Sequence, residues 1–164
     1  MRRLDSMGPG QLVMSVQGNN EVGLWNVESS SRQTCVMSAA SGAQHSVTAF
    51  SMMEQDRFIT GGTDCKIRYW SLAPTPETLT LGQSEANVSS LSSKLVEGSQ
   101  VYTEVGPGGR AASGGRGGRA DGDGGGRIQA DGQHSDWVTD MTLCRTQQTL
   151  LVTASNDGVV KIWK

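Results

Sequence analysis

The sequence predicts an all-β fold assembled from repeated antiparallel hairpins. Three segments align without gaps and end in tryptophan: SVQGNNEVGLW (15–25), TGGTDCKIRYW (60–70) and TASNDGVVKIW (153–163). Apolar residues lie one and three places before each tryptophan, a period of two that indicates strands rather than helices. Gly18-Asn19-Asn20 and Asn156-Asp157-Gly158 are turn-forming triplets between the two halves of their segments. Each segment is therefore interpreted as one hairpin of a repeated unit.

A further strand pattern precedes two of the hairpins, at 47–52 and 138–143, and a histidine comes just before each of these strands. Trp25 and Trp70 are 45 positions apart. Three strands per unit at this period are typical of a propeller blade. The sequence thus predicts a partial β-propeller of about three blades. Because a closed ring needs about four to eight blades, we expect the chain to be the carboxy-terminal part of a longer protein.

The composition divides the chain into five parts. They are a disordered start (1–11), a partial blade (12–44), a blade (45–82), a low-complexity Gly/Arg/Ser-rich loop between blades (83–133) and a last blade lacking its outer strand (134–164). Of the 22 glycines, 12 fall within residues 106–132, a composition that favours disorder over a packed core. Within 74–103, we expect an outer strand near 79–81 and one further strand over 94–103.

The hairpins resemble the WD-repeat family, and the resemblance implies a structural relay of hydrogen bonds within each blade. In that family a histidine, a strand hydroxyl, a turn aspartate and the tryptophan indole are joined. The matching residues are His45, Thr60, Asp64 and Trp70 in the second blade; His134, Thr153, Asp157 and Trp163 in the last; and Ser15, Asn19 and Trp25 in the first. The first set lacks a histidine and carries Asn in place of Asp. The Trp-Asp dipeptide of the family is absent, since Asn26, Ser71 and Lys164 follow the three tryptophans.

Finer features are similar to one branch of that family, the protein-kinase-like regulatory subunits of the class III phosphatidylinositol 3-kinase complex. The similarity lies in VQGNNEV (16–22), TDCKIRYW (63–70) and the ending VTASNDGVVKIWK (152–164). It implies a scaffold that binds the lipid kinase and its coiled-coil subunits. It also implies a cytoplasmic protein, peripheral on endosomal or autophagic membranes through the complex, with roles in vesicle trafficking and autophagy.

We expect no enzymatic activity from this chain. Full-length members of the regulatory-subunit family resemble a serine/threonine protein kinase in a region that is absent here, and the sequence contains neither His-Arg-Asp nor Asp-Phe-Gly. Cys35, Cys65 and Cys144 show no Cys-x-x-Cys spacing, so neither a metal site nor a cofactor is expected. His45 and His134 are interpreted as structural histidines.

The charge balance argues against nucleic acid as a partner. The 14 basic and 16 acidic residues give a net charge of −2, which provides no basic field. Residues 104–133 repeat Gly-Gly-Arg as RNA-binding segments do, but this stretch has no aromatic side chain and three aspartates offset its arginines. RNA binding stays a second alternative. The first alternative is a WD-repeat scaffold of another complex, such as a ubiquitin-ligase substrate receptor.

Two pairs of basic residues alternate with the apolar positions of the hairpins. They are Lys66 with Arg68, and Lys161 with Lys164. We interpret all four as solvated strand positions, with a contribution to a partner-facing rim as the alternative.

Overall fold

The computed structural model describes residues 4–6, 12–17, 21–36, 46–54, 56–82, 87–105 and 132–164. All regular structure in these ranges is β-strand, which confirms the all-β class. The strands are β1 (Leu4–Ser6), β2 (Leu12–Gln17), β3 (Glu21–Asn26), β4 (Ser31–Val36), β5 (Val47–Glu54), β6 (Arg57–Gly62), β7 (Ile67–Ser71), β8 (Glu77–Thr80), β9 (Asn87–Val96), β10 (Ser99–Val105), β11 (Val138–Arg145), β12 (Thr149–Ser155) and β13 (Val160–Trp163). None of these residues forms a helix with the length and apolarity needed to cross a bilayer.

The three predicted hairpins are present and each belongs to a blade-like antiparallel unit. The first blade contains β1 to β4, the second blade contains β5 to β8, and the last blade is the three-stranded sheet β11-β12-β13. The repeats share one register, because Ser15 is opposite Gly23, Thr60 is opposite Arg68 and Thr153 is opposite Lys161. The expectation of a partial propeller of about three blades is confirmed.

The β9–β10 hairpin departs from the sequence prediction. It lies inside 83–133, which was assigned to a loop, and it replaces the single strand expected over 94–103 with two strands. The turn between them is at Glu97 and Gly98, whose φ angles of 49° and 77° fit a tight two-residue hairpin turn. Four of the ten residues of β9 are serines, and its apolar residues at 88, 91, 95 and 96 do not alternate with polar ones, so the pattern that reveals a strand in a sequence is missing there.

This hairpin joins the first two blades into one ten-stranded sheet. β9 pairs antiparallel with β8 of the second blade, and β10 pairs parallel with β4 of the first. Without this hairpin, β4 and β8 would each present unpaired backbone N–H and C=O groups at a sheet edge. Proteins usually cover such edges, because they can pair with other chains. Leu91 of β9 is buried in the core between the two blades, and Tyr102 of β10 packs against it.

The prediction of disorder over residues 1–11 was wrong for Leu4–Ser6. These residues form β1, in which Leu4 is opposite Ser15 of β2. An edge strand needs only backbone partners, so three residues without an apolar pattern can extend a sheet. The Gly-rich stretch 106–131 and the residue His45 lie outside the described residues.

The second blade has an apolar core on each of its faces. Phe58 and Trp70 are opposite each other in β6 and β7, and their rings stack with centroids 5.6 Å apart on the face toward the first blade. Ile59 is on the other face and packs against Val138 and Met141 of the last blade. A blade buried on both faces is the arrangement that a propeller requires of its interior sheets.

Gly61 sets how closely the last blade approaches the second. A Cβ atom there would lie 2.5 Å from Val138 Cγ1 and 2.8 Å from Met141 Cε. The Thr48 hydroxyl reinforces this contact, because it donates to the carbonyl oxygens of Gly61 and Val138. The Val138 and Met141 side chains of β11 therefore lie against a position where a larger residue would overlap them.

We expect Gly61→Ala to lower the free energy of unfolding by about 1–3 kcal/mol, since the added methyl overpacks this interface. Urea unfolding measures the change. Val138→Ala removes the nearest methyl, so the double variant Gly61→Ala/Val138→Ala should lose less stability than the two single changes added together. Strict additivity would show that the two positions are not in contact.

Candidate functional site

The end of the last blade is built around a turn that projects one carboxylate inward. The four residues from Asn156 to Val159 connect β12 to β13, and Gly158 among them has a φ of 77°, a conformation that glycine adopts without strain. The Ser155 hydroxyl accepts a hydrogen bond from the Asp157 backbone N–H at 3.1 Å. The turn is thereby fixed with the Asp157 side chain 7% exposed.

Four side chains of the last blade are joined in one continuous series of hydrogen bonds, here named the relay. Trp163 Nε1 donates to Thr153 Oγ1 at 2.9 Å. Thr153 Oγ1 lies 2.8 Å from His134 Nε2, and His134 Nδ1 lies 3.0 Å from Asp157 Oδ2. A neutral imidazole with its proton on Nδ1 satisfies every contact, because Thr153 then donates to Nε2 and His134 donates to the carboxylate.

Asp157 is held as a carboxylate by the donors that surround it. Burial of the side chain raises its pKa, but the backbone N–H groups of Ser135 and Val159 and the His134 ring outweigh that effect, so the pKa lies well below its usual range. Ser135 N donates to Oδ2 and Val159 N donates to Oδ1, each at 2.9 Å. The carboxylate therefore ties the segment before β11 to the turn before β13.

The second blade shows the same tryptophan–threonine contact with a different partner for its aspartate. Trp70 Nε1 donates to Thr60 Oγ1 at 2.9 Å, and both side chains are buried. Asp64 Oδ2 lies 2.7 Å from Arg68 Nη2 in an ion pair whose side chains are each 6% exposed. The expectation that Arg68 faces solvent was wrong, because pairing with Asp64 permits its burial.

The first blade does not show the corresponding contacts in the described residues. The Trp25 indole lies over Gly23, where a Cβ atom would be 2.7 Å from the ring, and the Arg32 guanidinium is 5.4 Å from the ring centroid. Ser15 lies in β2, but its side chain, like the whole of Asn19, is outside the described residues.

The relay has the connectivity of a nucleophile–base–acid triad but not its accessibility. A catalytic hydroxyl must reach a substrate carbon, whereas Thr153 is completely buried and its oxygen already accepts the Trp163 N–H. His134 is 3% exposed, with both ring nitrogens engaged. Among the described residues, no cluster of histidine, cysteine or carboxylate side chains could hold a metal ion. The arrangement can stabilise a blade but cannot bring its hydroxyl to a substrate.

Comparison with known protein families supports the resemblance of the hairpins to WD repeats. The family model described as "WD domain, G-beta repeat" matches residues 10–71 and 127–164, more than half of the chain. The chain belongs to the WD-repeat family. Among solved structures, this WD-repeat chain is similar to the computationally designed Ika8 protein, with 14% sequence identity and a TM-score of 0.33. The alignment covers 98% of the WD-repeat chain and 57% of the designed one.

One contributor to the last blade was missed in the sequence. Lys161 Nζ donates to the carbonyl oxygens of Gly132 and Gln133, at 3.2 and 2.6 Å, and so holds the segment that leads to His134. In both of these WD-repeat hairpins a basic residue follows the turn aspartate by four positions, Arg68 after Asp64 and Lys161 after Asp157. This repeated spacing is the sequence signal from which a structural role of Lys161 could have been predicted.

Proposed function

We propose that this WD-repeat domain is a non-catalytic scaffold that serves as the propeller part of the regulatory subunit of a class III phosphatidylinositol 3-kinase complex. WD-repeat domains are scaffolds for protein–protein interaction, and the rigid, substrate-inaccessible relay of the last blade fits such a role. The observation that carries the choice of complex is the sequence similarity over 16–22, 63–70 and 152–164.

The last blade supplies the contacts to the other subunits in this proposal. Its inner face packs on the second blade through Val138, Met141 and Leu151. Its turn is fixed by the relay, so side chains at that end of the blade are presented from an ordered backbone. A preorganised surface loses little conformational entropy on binding. The partners are the lipid kinase and the coiled-coil subunits, and the chain reaches endosomal or autophagic membranes through them.

Co-precipitation with purified subunits tests the proposal. The tagged 164-residue chain should retain the lipid kinase and a coiled-coil subunit, and deletion of residues 134–164 should abolish retention. Deletion of 106–131, which removes most of the Gly-rich stretch, is the matched control and should leave retention unchanged. Retention that survives loss of 134–164 would contradict the proposal. Retention of a ubiquitin-ligase adaptor in place of the lipid kinase would also contradict it.

A further inference from the structure

The outer edge of β4 is covered by a strand from a distant part of the chain. β10 pairs with β4 in parallel over four residue pairs, from Gln100 opposite Gln33 to Thr103 opposite Val36. β10 pairs antiparallel with β9, its neighbour along the chain, over seven residue pairs. Parallel pairing is also slightly less stable per residue than antiparallel pairing. β10 is therefore tied to its own hairpin more firmly than to β4.

Few apolar side chains hold the β9–β10 hairpin on the two blades. Leu91 is buried in the core between the blades, and Tyr102 packs against that core. Leu95 and Val96, near the hairpin turn, are 73% and 48% exposed. Elements with few buried apolar contacts open at the lowest free energy. The contact of β10 with β4 is therefore expected to open before the blades themselves unfold.

The connection between the second and last blades does not depend on this contact. Gly82, just after β8, lies against Gly132, which leads into the last blade. A Cβ atom on Gly82 would be 3.1 Å from the Gly132 carbonyl carbon. The part of the chain that contains the β9–β10 hairpin therefore begins and ends at one place. β10 can leave β4 without separating the second blade from the last.

The β4 edge offers backbone hydrogen bonds and one apolar position to the strand that covers it. In a hairpin with a two-residue turn, residues 96 and 99 share the closing hydrogen bonds, so residues 100 and 102 direct theirs away from β9 and toward β4. Tyr102 is opposite Cys35, which is 1% exposed, so the Tyr102 ring lies on the buried side of β4. Proteins bind extended segments by adding a strand to such an edge, and pockets for alternate side chains give specificity.

We infer that the outer edge of β4 binds an extended segment of a partner protein that carries an aromatic side chain, and that β10 occupies this site until the partner displaces it. The backbone of the partner takes the hydrogen bonds that β10 makes to β4, and its aromatic ring takes the place of the Tyr102 ring. This inference rests on the proposed scaffold function and names one partner-binding site together with its internal competitor.

A partner that the scaffold already holds is favoured over a second copy of the chain. β10 is joined to β9 by a two-residue turn, so it competes at an effective concentration on the order of millimolar. A second copy in solution is far more dilute, and its β10 makes the same contacts within its own chain. A partner bound elsewhere on the scaffold is itself tethered, so its segment competes with β10 on similar terms.

Fluorescence anisotropy with labelled peptides tests the inference. The peptide GGSQVYTEVGG repeats residues 99–105 of β10, and its control peptide has serine in place of the tyrosine. Tyr102→Ser weakens the internal competitor and leaves β4 intact, so this variant should bind the tyrosine peptide at least about tenfold more tightly than the parent chain does. The variant should bind the serine peptide at least about tenfold more weakly than the tyrosine peptide. Trp137→Ser, which removes a 51% exposed aromatic side chain from the last blade, is the matched control and should bind like the parent chain.

Equal binding of the tyrosine peptide by the parent chain and folded Tyr102→Ser, or equal binding of the two peptides by Tyr102→Ser, would overturn the inference. If Tyr102→Ser fails to fold, Gln100→Pro takes its place with the same reading, because it removes a backbone N–H that β10 directs toward β4. Dimerisation of the parent chain that Tyr102→Ser abolishes would also overturn the inference, since the β4 edge would then serve a second copy.

The peptide experiment and the co-precipitation fail independently of each other. Tighter peptide binding by Tyr102→Ser without retention of the lipid kinase refutes the assignment to that complex and leaves the β4 site standing. Retention of the lipid kinase without tighter peptide binding refutes the β4 site alone.

Discussion

Trp70→Ala is expected to lower the free energy of unfolding by about 3–5 kcal/mol, the range for removing a large aromatic side chain from a core. Trp70 is completely buried, stacks on Phe58 and donates its indole N–H to Thr60. Its loss opens a cavity between the first two blades and leaves the buried Thr60 oxygen without its donor. Small domains are stable by only about 5–15 kcal/mol, so the variant should be near the unfolding threshold at 25 °C.

Urea unfolding followed by circular dichroism measures this effect. Trp25→Ala is the matched control, because Trp25 occupies the same place in its repeat but is only half-buried and has Arg32 beside its ring. Trp25→Ala should lower the free energy of unfolding by clearly less than Trp70→Ala does. Equal losses for the two variants would contradict the distinction between a tryptophan inside the core and one at its margin.

Asp157→Ala is expected to destabilise the last blade by about 1–3 kcal/mol at pH 7, because it removes the acceptor of several hydrogen bonds, one of them from the buried His134 ring. The N–H groups of Ser135 and Val159 and the His134 ring lose their common partner. The two segments that Asp157 joins then separate more easily. Glu28→Gln, an exposed change in the β3–β4 turn, is the control and should stay within about 0.5 kcal/mol of the parent chain.

The cost of Asp157→Ala should also depend on pH in a defined direction. Because the folded state lowers the pKa of Asp157, its carboxylate contributes its full stabilisation above the unfolded pKa of about 3.9 and loses it as the pH falls through the folded value. The difference in unfolding free energy between parent and variant should therefore shrink below about pH 4. Urea titrations from pH 7 to pH 2 follow it, and a difference that grows on acidification would contradict the assignment.

The hairpins were predictable because their signals are local and repeated. Alternating apolar residues before each tryptophan, and glycine or asparagine in the turns, specify strands and a tight turn regardless of what packs around them. The Thr153–Trp163 and Thr60–Trp70 contacts follow from the shared register once the hairpins form. The sequence also placed His134 and Asp157 together through its resemblance to WD repeats.

The parts that were missed depend on long-range partners. The pairing of β9 and β10 as a hairpin depends on the free edges of β8 and β4, and the sequence, which predicted a single strand over 94–103, does not show which edges are available. Arg68 seemed solvent-facing because its burial depends on Asp64, whose position is set by folding of the turn. The exposure of the Val160 and Ile162 side chains could not be predicted from the sequence either, because it depends on which face of the last blade is covered. Apolar alternation predicts a face, but only the packing of the second blade decides which face is covered.

Hydrogen exchange of the indole N–H groups, observed by NMR, tests the relay most directly, because the four tryptophans give four separate probes in one sample. The account predicts that Trp70 and Trp163, each donating to a buried threonine, exchange at least about tenfold more slowly than the exposed Trp137. Asp157→Ala should speed exchange at Trp163 and leave Trp70 unchanged. Exchange at Trp163 as fast as at Trp137 in the parent chain would show that the last blade is not held by the relay.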